Sequence, residues 1–182
     1  VTYQVTDSDG DTAAGQLAIT VNDDTPTVSE NLMVILDDDA LPNGNPGGVN
    51  DLSPDTENAT GTLGYSYGAD GGSITWLTTG SPVGFTYVVD GNQLFIEQGE
   101  TTVMTLTLNT TTGAYTVEQN APLMHPEGLN ENNQNFNVTY QVTDGDGDTA
   151  AGQLAITVND DTPTVSENLM VIFDDDALAG GN

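Results

Sequence analysis

The sequence predicts an all-β protein in which antiparallel sheets pack as a sandwich. Three observations indicate this fold. Apolar residues occur in short runs that alternate with polar ones, glycine-containing turns separate these runs, and no segment keeps the period of a helix. Many short strands joined by such turns are typical of a β-sandwich.

The alternation defines the strands in order along the chain. Val1, Tyr3 and Val5 share one face of a first strand, and residues 17–21 repeat the pattern in a second. Further candidate strands cover residues 32–36, 62–67, 73–77, 85–89, 93–97, 103–109, 114–118, 136–143 and 153–159. Turn sequences such as Asp-Gly-Asn at residues 90–92 separate them. This series predicts a β-sandwich of antiparallel sheets.

An internal repeat organises the chain. Residues 1–41 recur as residues 138–178 with two differences, Ser8 against Gly145 and Leu36 against Phe173. The repeat begins 137 residues later, which is the length of a self-contained domain rather than of a solenoid unit. We therefore expect a tandem array of one module.

The module boundary is predicted at the sequence "VNDDTPTV", where a strand ends in two acids and a proline then stops the ladder. On this basis residues 1–22 are the closing strands of a preceding repeat. Residues 23–160 form one complete module, and residues 161–182 open the next repeat.

The two copies of the closing hairpin compete for one place in the sheet. We expect the copy at residues 138–160 to occupy it, because residues 1–22 lead directly into the linker of the complete module. The first copy would then be poorly ordered or packed against a neighbouring molecule.

The composition restricts the possible partners. The 182 residues include no Lys or Arg and 28 Asp plus Glu, so the formal net charge is −28 and His125 is the only side chain that can become a cation. Phosphate recognition needs a basic patch, so nucleic acid is excluded, and direct contact with an anionic membrane is not expected. With no cysteine, the chain has no disulfide to stabilise it.

Aspartates alternate at residues 7–11 and again at residues 144–148. Two carboxylates about 5 Å apart repel each other by roughly 3 kcal/mol at an effective dielectric constant of 20. A whole domain is stable by only about 5–15 kcal/mol. These clusters therefore oppose folding unless they bind protons or a cation from solution.

Oxygen ligands without His or Cys favour Ca²⁺, and Mg²⁺ is less suited because it retains its waters and requires a strict octahedron. We expect several Ca²⁺ ions, some in local loop sites and others at the joint between modules. The candidate ligands are Asp7, Asp9, Asp11, Asp23, Asp24, Glu30, Asp37, Asp38, Asp39, Asp144, Asp146, Asp148, Asp160, Asp161, Glu167, Asp174, Asp175 and Asp176.

Other residues suggest alternative functions. Thr101, Thr105 and Thr107 share a strand face that would suit ice or sugar, although threonine is also common on the solvent side of a strand. Trp76 would suit a sugar site or the core. His125, between two prolines, is expected to be a loop residue fixed by a backbone hydrogen bond, with metal binding as the other interpretation.

An enzyme is not expected. Paired carboxylates can serve a glycosidase, but here they stand in near-identical repeats, and a catalytic pair duplicated in each module is improbable. No small-molecule substrate is therefore expected.

The segment "YQVTDGDGDTAAGQLAITVNDDTP" resembles the closing part of the large tandem repeats in giant bacterial RTX adhesins, which are exported by type I secretion. The segments "GTLGYSYGADGGSITW", "DGNQLFIEQ" and "GAYTVEQNAPLMHPEGLNENNQNFNVTYQVTD" are similar to the rest of that repeat. The acidic linker is also loosely similar to the "DxNDNxP" linker of cadherins.

This resemblance implies that residues 23–160 form an immunoglobulin-like, Greek-key β-sandwich, which is a calcium-binding extender module on the outside of a bacterial cell. Such modules are strung in many copies and hold a terminal ligand-binding region away from the cell surface, for attachment and biofilm formation. The implied partners are neighbouring repeats of the same chain, and the implied calcium ligands are the aspartate clusters named above.

Overall fold

The computed structural model describes residues 1–128, 131–174 and 179 of the chain. Strands dominate these residues, which also contain a single 3₁₀ turn at Asp38–Ala40 and no α-helix. The predicted all-β sandwich is confirmed. Across the described ranges, no helix has the length and apolar character needed to cross a membrane.

Thirteen strands lie within the described residues. They are β1 (Thr2–Thr6), β2 (Thr12–Gln16), β3 (Thr27–Val28), β4 (Val34–Asp37), β5 (Asn58–Thr62), β6 (Tyr65–Ser66), β7 (Gly72–Trp76), β8 (Phe85–Asp90), β9 (Gln93–Gln98), β10 (Thr101–Leu108), β11 (Ala114–Gln119), β12 (Gln134–Asp144) and β13 (Thr149–Asn159).

Two main sheets form the sandwich. The larger has the strand order β5-β11-β10-β9-β8 and is antiparallel throughout. The smaller has the order β4-β13-β12-β7, and its β4–β13 pair is parallel. The prediction of purely antiparallel sheets is therefore wrong at this one pair. Parallel pairing places the end of β4 beside the end of β13, with Asp37 opposite Asn159.

The core lies between the two sheets, and its residues follow the period of two that the sequence predicts. Along β12 the inward side chains include Phe136 and Tyr140, both fully buried. Phe136 meets Phe85 of the other sheet edge-on at 4.9 Å between ring centroids, and Trp76 meets Tyr140 at 6.5 Å. Trp76 thus packs in the core, where each large apolar side chain contributes roughly 1.5–3 kcal/mol.

The two copies of the closing hairpin differ in environment. The second copy, β12–β13, occupies the smaller sheet, while within the described residues the first copy forms a separate two-stranded sheet of β1 and β2. Ile156 is fully buried and its counterpart Ile19 is 65% exposed. The prediction of a strand at residues 17–21 is wrong: β2 ends at Gln16 and residues 17–21 are exposed, whereas residues 155–158 of the second copy pair with residues 134–137.

Candidate metal centres at the two ends of the sandwich

Strand β13 carries candidate ligands to opposite ends of the sandwich. Its eleven residues span roughly 35 Å. The β12–β13 turn, with Asp144, Asp146 and Asp148, lies at one end. Asp160 and Asp161 follow the strand at the other end, where the chain leaves the module. The predicted ligands therefore divide into two groups that are far apart.

The β12–β13 turn is closed by its own first aspartate. Asp144 Oδ1 accepts hydrogen bonds from the backbone N–H groups of Gly147, at 3.0 Å, and Asp148, at 2.7 Å. Gly147 has a φ of +108°, a conformation that favours glycine. The first copy repeats this geometry, with Asp7 Oδ1 accepting from Gly10 and Asp11. The turn is therefore specified locally, whether or not its hairpin is packed.

The turn also gathers carboxylates around it. Asp7, Asp9 and Asp11 place one oxygen each within 4.8 Å of one another, as a local loop site requires. Near the second copy of the turn, one oxygen each of Asp23, Asp70 and Asp146 also lies within 4.8 Å of the other two, and we call these three residues the hairpin cluster. Asp23 belongs to the incoming linker, so this cluster joins the linker to the module. Asp70, in a Gly-rich turn, was not among the predicted ligands.

The linker is also held beside the hairpin cluster by its second acid. Asp24 Oδ2 accepts a hydrogen bond from the backbone N–H of Ala69 at 3.2 Å. A hydrogen bond with the Asp144 carboxyl, together with partial desolvation and the charges of Asp144 and Asp23, raises the pKa of Asp146 to about 6. The crowded carboxylates therefore favour uptake of a proton or a cation.

The opposite end holds the exit cluster, defined as Asp37, Asp38, Asp39, Asp51, Asp55, His125, Glu131, Asp160 and Asp161. Asp37 caps the 3₁₀ turn, since its Oδ1 accepts from Asp39 N at 2.9 Å. Asp39 Oδ2 accepts from Gly47 N at 3.1 Å. The 3₁₀ turn lies between the buried strand β4 and a Gly-rich loop. It directs the three consecutive carboxylates of Asp37, Asp38 and Asp39 inward, and all three residues are buried.

Asp38 has a full set of partners. It accepts hydrogen bonds from the Gln119 amide and from Leu123 N at 2.9 Å, and its Oδ2 lies 3.3 Å from His125 Nε2. Asp160 Oδ1 lies 3.8 Å from the same nitrogen. The charge of Asp38 is thus compensated by side chains of the module itself.

His125 is fixed by a backbone hydrogen bond, as the sequence predicts, and it also contacts the acids. Its Nδ1 lies 2.5 Å from the Asn132 carbonyl oxygen. Burial opposes the imidazolium, but the hydrogen bond to Asp38 and the charge of Asp160 outweigh burial and raise the pKa of His125. The only potential cation among the side chains therefore lies where the carboxylates are densest.

The outgoing linker is held by the loop that follows the 3₁₀ turn. Asp161 Oδ1 accepts from Asn45 N at 3.3 Å and from Asn45 Nδ2 at 3.2 Å. Asn159 Oδ1 accepts from Leu52 N at 2.6 Å. The loop between β4 and β5 therefore connects the exit cluster to the start of the linker.

The negative charges of other carboxylates in the exit cluster are not compensated by a nearby cation among the described residues. Burial, and then the charges of Asp51 and Asp55, raise the pKa of Asp37 to about 6. Burial, the adjacent Asp161 carboxyl and the charge of Asp37 raise the pKa of Asp39 to about 7. Burial and nearby acids raise the pKa of Glu131 as well. Without a cation, Asp37 and Asp39 bind protons near neutral pH.

The structure adds residues that the sequence did not single out and leaves some predicted ones outside. Asp51, Asp55 and Glu131 were not predicted, because each stands alone in a loop and only the folded chain brings them together. Glu30 and Glu167 are exposed and belong to neither cluster, and Asp174 is also exposed. The predicted ligands Asp175 and Asp176 lie outside the described residues.

A family model described as "Domain of unknown function (DUF5801)" matches residues 33–157. No curated protein and no solved structure matches the chain. The matched segment begins one residue before β4 and ends within β13, so it contains most of both sheets and the loop acids Asp51 and Glu131. Because the match covers more than half of the chain, this protein belongs to the DUF5801 family.

Proposed function

We propose that this protein is a calcium-binding extender module of a bacterial surface adhesin. In this role, Ca²⁺ rigidifies the linkers between modules, so that the array projects a distal ligand-binding region from the cell. The observation that carries the proposal is the position of the linker acids. Asp23 meets Asp70 and Asp146 at one end of the module, while at the other end Asp160 lies beside His125 of the exit cluster and Asp161 accepts a hydrogen bond from Asn45.

These two linker pairs are the same element of the repeat. Asp23 and Asp24 correspond to Asp160 and Asp161 of the next copy. In a tandem array, one Asp-Asp pair would therefore lie against the exit cluster of the module before it and the hairpin cluster of the module after it. A cation bound there contacts two modules and limits their relative motion.

The donor chemistry supports Ca²⁺ as that cation. The hairpin cluster contains only carboxylate oxygens, which suit a hard ion that accepts six to eight oxygen ligands in flexible geometry. Extracellular modules bind Ca²⁺ with dissociation constants of about 10⁻⁴–10⁻³ M, near its concentration outside cells. Type I secretion and the cell-surface location are proposed from the resemblance to RTX adhesins.

Small-angle X-ray scattering tests the proposed rigid linker. Chelating calcium from the 182-residue chain is expected to change the maximum dimension, because the incoming linker and β1–β2 hairpin are released from Asp70 and Asp146. Asp146→Asn should give the scattering profile of the chelated protein even in calcium. Asp90→Asn, at the exposed end of β8, is the matched control and should leave the profile unchanged. A profile that chelation does not alter would count against linker rigidification.

A further inference from the structure

We infer that the exit end of the module holds a Ca²⁺ ion of its own, coordinated by Asp37, Asp39, Asp51 and Glu131 and independent of any neighbouring module. This site rests on the proposed function only in taking Ca²⁺ as the cation. It differs from the linker sites because all four ligands come from one module and none comes from a linker.

The first argument is the set of buried oxygens left without partners. Within the described ranges, these oxygens make no hydrogen bond: Asp37 Oδ2, Asp39 Oδ1, Asp51 Oδ1, and Glu131 Oε1 and Oε2. Asp37 is fully buried, and Asp39 and Glu131 are 5% and 6% exposed. An unpaired buried carboxylate is strongly unfavourable, so the fold requires something that neutralises this group.

The second argument is distance. One oxygen each from Asp39, Asp51 and Glu131 lies within 4.8 Å of the other two. Two oxygens bound to the same Ca²⁺ at 2.3–2.6 Å are at most about 5 Å apart. One oxygen each of Asp37, Asp51 and Asp55 meets the same spacing, so Asp51 links the fully buried Asp37 to the triad. Asp39, Asp51 and Glu131 are therefore already within coordination range of one ion, and Asp37 lies within that range of Asp51.

The third argument is the identity of the donors. The four ligands offer only carboxylate oxygen, which disfavours zinc and copper, and the two free oxygens of Glu131 permit the bidentate contact common in calcium sites. His125 is not available to this group, since it contacts Asp38 and the Asn132 carbonyl.

The site would also order the loop that holds the outgoing linker. Asp39 accepts from Gly47 N, and a methyl group added at Gly48 would collide with the Glu131 carboxylate, so the loop backbone encloses the ligands closely. The same loop donates from Asn45 to Asp161 and from Leu52 to Asn159. An ion here therefore stabilises the loop before any neighbouring module is bound.

Calorimetric titration of Ca²⁺ into chelator-stripped 182-residue protein tests the site. Glu131→Gln and Asp51→Asn keep the side-chain shape and remove a charge, and each is expected to abolish one binding event or weaken it at least about tenfold, as losses at metal sites commonly do. Hydrogen exchange at the amides of Gly47 and Leu52 should be slow in calcium and fast in these variants. Glu118→Gln, exposed on β11, is the matched control and should bind as the parent does.

Melting in chelator separates loss of the site from loss of the fold. Glu131→Gln removes an uncompensated buried carboxylate, so without metal it should melt at or above the parent temperature, whereas in calcium it should melt below it. Unchanged calcium binding in both variants, or equal stabilisation of parent and Glu131→Gln by calcium, would overturn the inference.

The scattering experiment distinguishes this inference from the proposed function. If Glu131→Gln loses one ion while chelation leaves the maximum dimension of the parent unchanged, the internal site stands and linker rigidification falls. If chelation changes the dimension but both variants bind calcium as the parent does, the internal site falls alone.

Discussion

Removing calcium at pH 7.5 is expected to lower the melting temperature by about 10 °C or more. At about 10 mM free calcium, a site with a dissociation constant of about 10⁻⁴ M is at roughly 100 times that constant and adds about 2.7 kcal/mol to the free energy of unfolding. Each kcal/mol moves the melting temperature of a domain this size by roughly 2–4 °C. Two or more sites among the acid clusters therefore give an effect of this size, which differential scanning calorimetry with calcium or chelator measures.

Two comparisons identify electrostatic compensation as the cause. Magnesium at equal concentration should restore less of the melting temperature than calcium, because it suits these flexible carboxylate sites less well. Monovalent salt at matched ionic strength should restore little, since the exit carboxylates are buried and poorly screened. Equal melting temperatures for the chelated and the calcium-loaded protein would contradict the prediction.

The pH dependence should have opposite signs with and without calcium. The folded-state pKa values of Asp37 and Asp39, about 6 and about 7, exceed the ordinary aspartate value, so the folded state binds more protons than the unfolded state between about pH 4 and pH 7. The metal-free protein should therefore gain stability as the pH falls from 7.5 to 5. The raised pKa values of Glu131 and His125 act in the same direction.

With calcium present, the same protons compete with the metal, and stability should fall over that interval. The lowered pKa of Asp144 favours stability at high pH, but its effect is confined below about pH 4. Melting curves at pH 7.5 and pH 5, each with calcium and with a chelator suited to that pH, measure both slopes. A metal-free protein that loses stability on acidification would show that the exit carboxylates do not govern this interval.

The second large effect is expected on the free energy of unfolding, when the same isoleucine is replaced in each copy of the hairpin. Ile156→Ala is expected to lower the free energy of unfolding by roughly 2–5 kcal/mol, because Ile156 is fully buried between the sheets. Ile19→Ala, in the same local sequence, should change it by less than about 0.5 kcal/mol, because Ile19 is 65% exposed. Denaturant unfolding in calcium measures both values.

This pair of substitutions carries its own control, since only the tertiary environment differs. Equal losses from the two substitutions would mean that both hairpins enter a sandwich, for example by exchange between molecules. That result would contradict the assignment of residues 138–160 to the folded module.

Local patterns predicted the parts of the fold that depend on local interactions. Alternating residues of β12 become inward Phe136, Val138, Tyr140 and Val142 because a strand turns successive side chains to opposite faces. The aspartate turn forms in both copies because its hydrogen bonds join residues three and four apart. The direction in which strands pair could not be predicted from local patterns, because nothing within residues 34–37 indicates that β4 pairs with β13 in parallel.

The candidate site divides in the same way. Repetition of Asp37–Asp39 and of the linker acids is visible in the sequence, and the structure brings members of both sets to the exit end. Glu131 and Asp51 could not be found by spacing, because they lie in separate loops and meet only when β4 and β13 close the sheet. Their burial without partners is a property of the folded chain alone.

Calorimetric titration of Ca²⁺ into stripped protein at pH 7.5 tests most directly whether divalent metal holds these carboxylates together. We expect saturable binding of several ions per chain, accompanied by a rise in melting temperature as the sites fill. No measurable binding at millimolar calcium, with melting unaffected by the metal, would contradict the role assigned to the acid clusters.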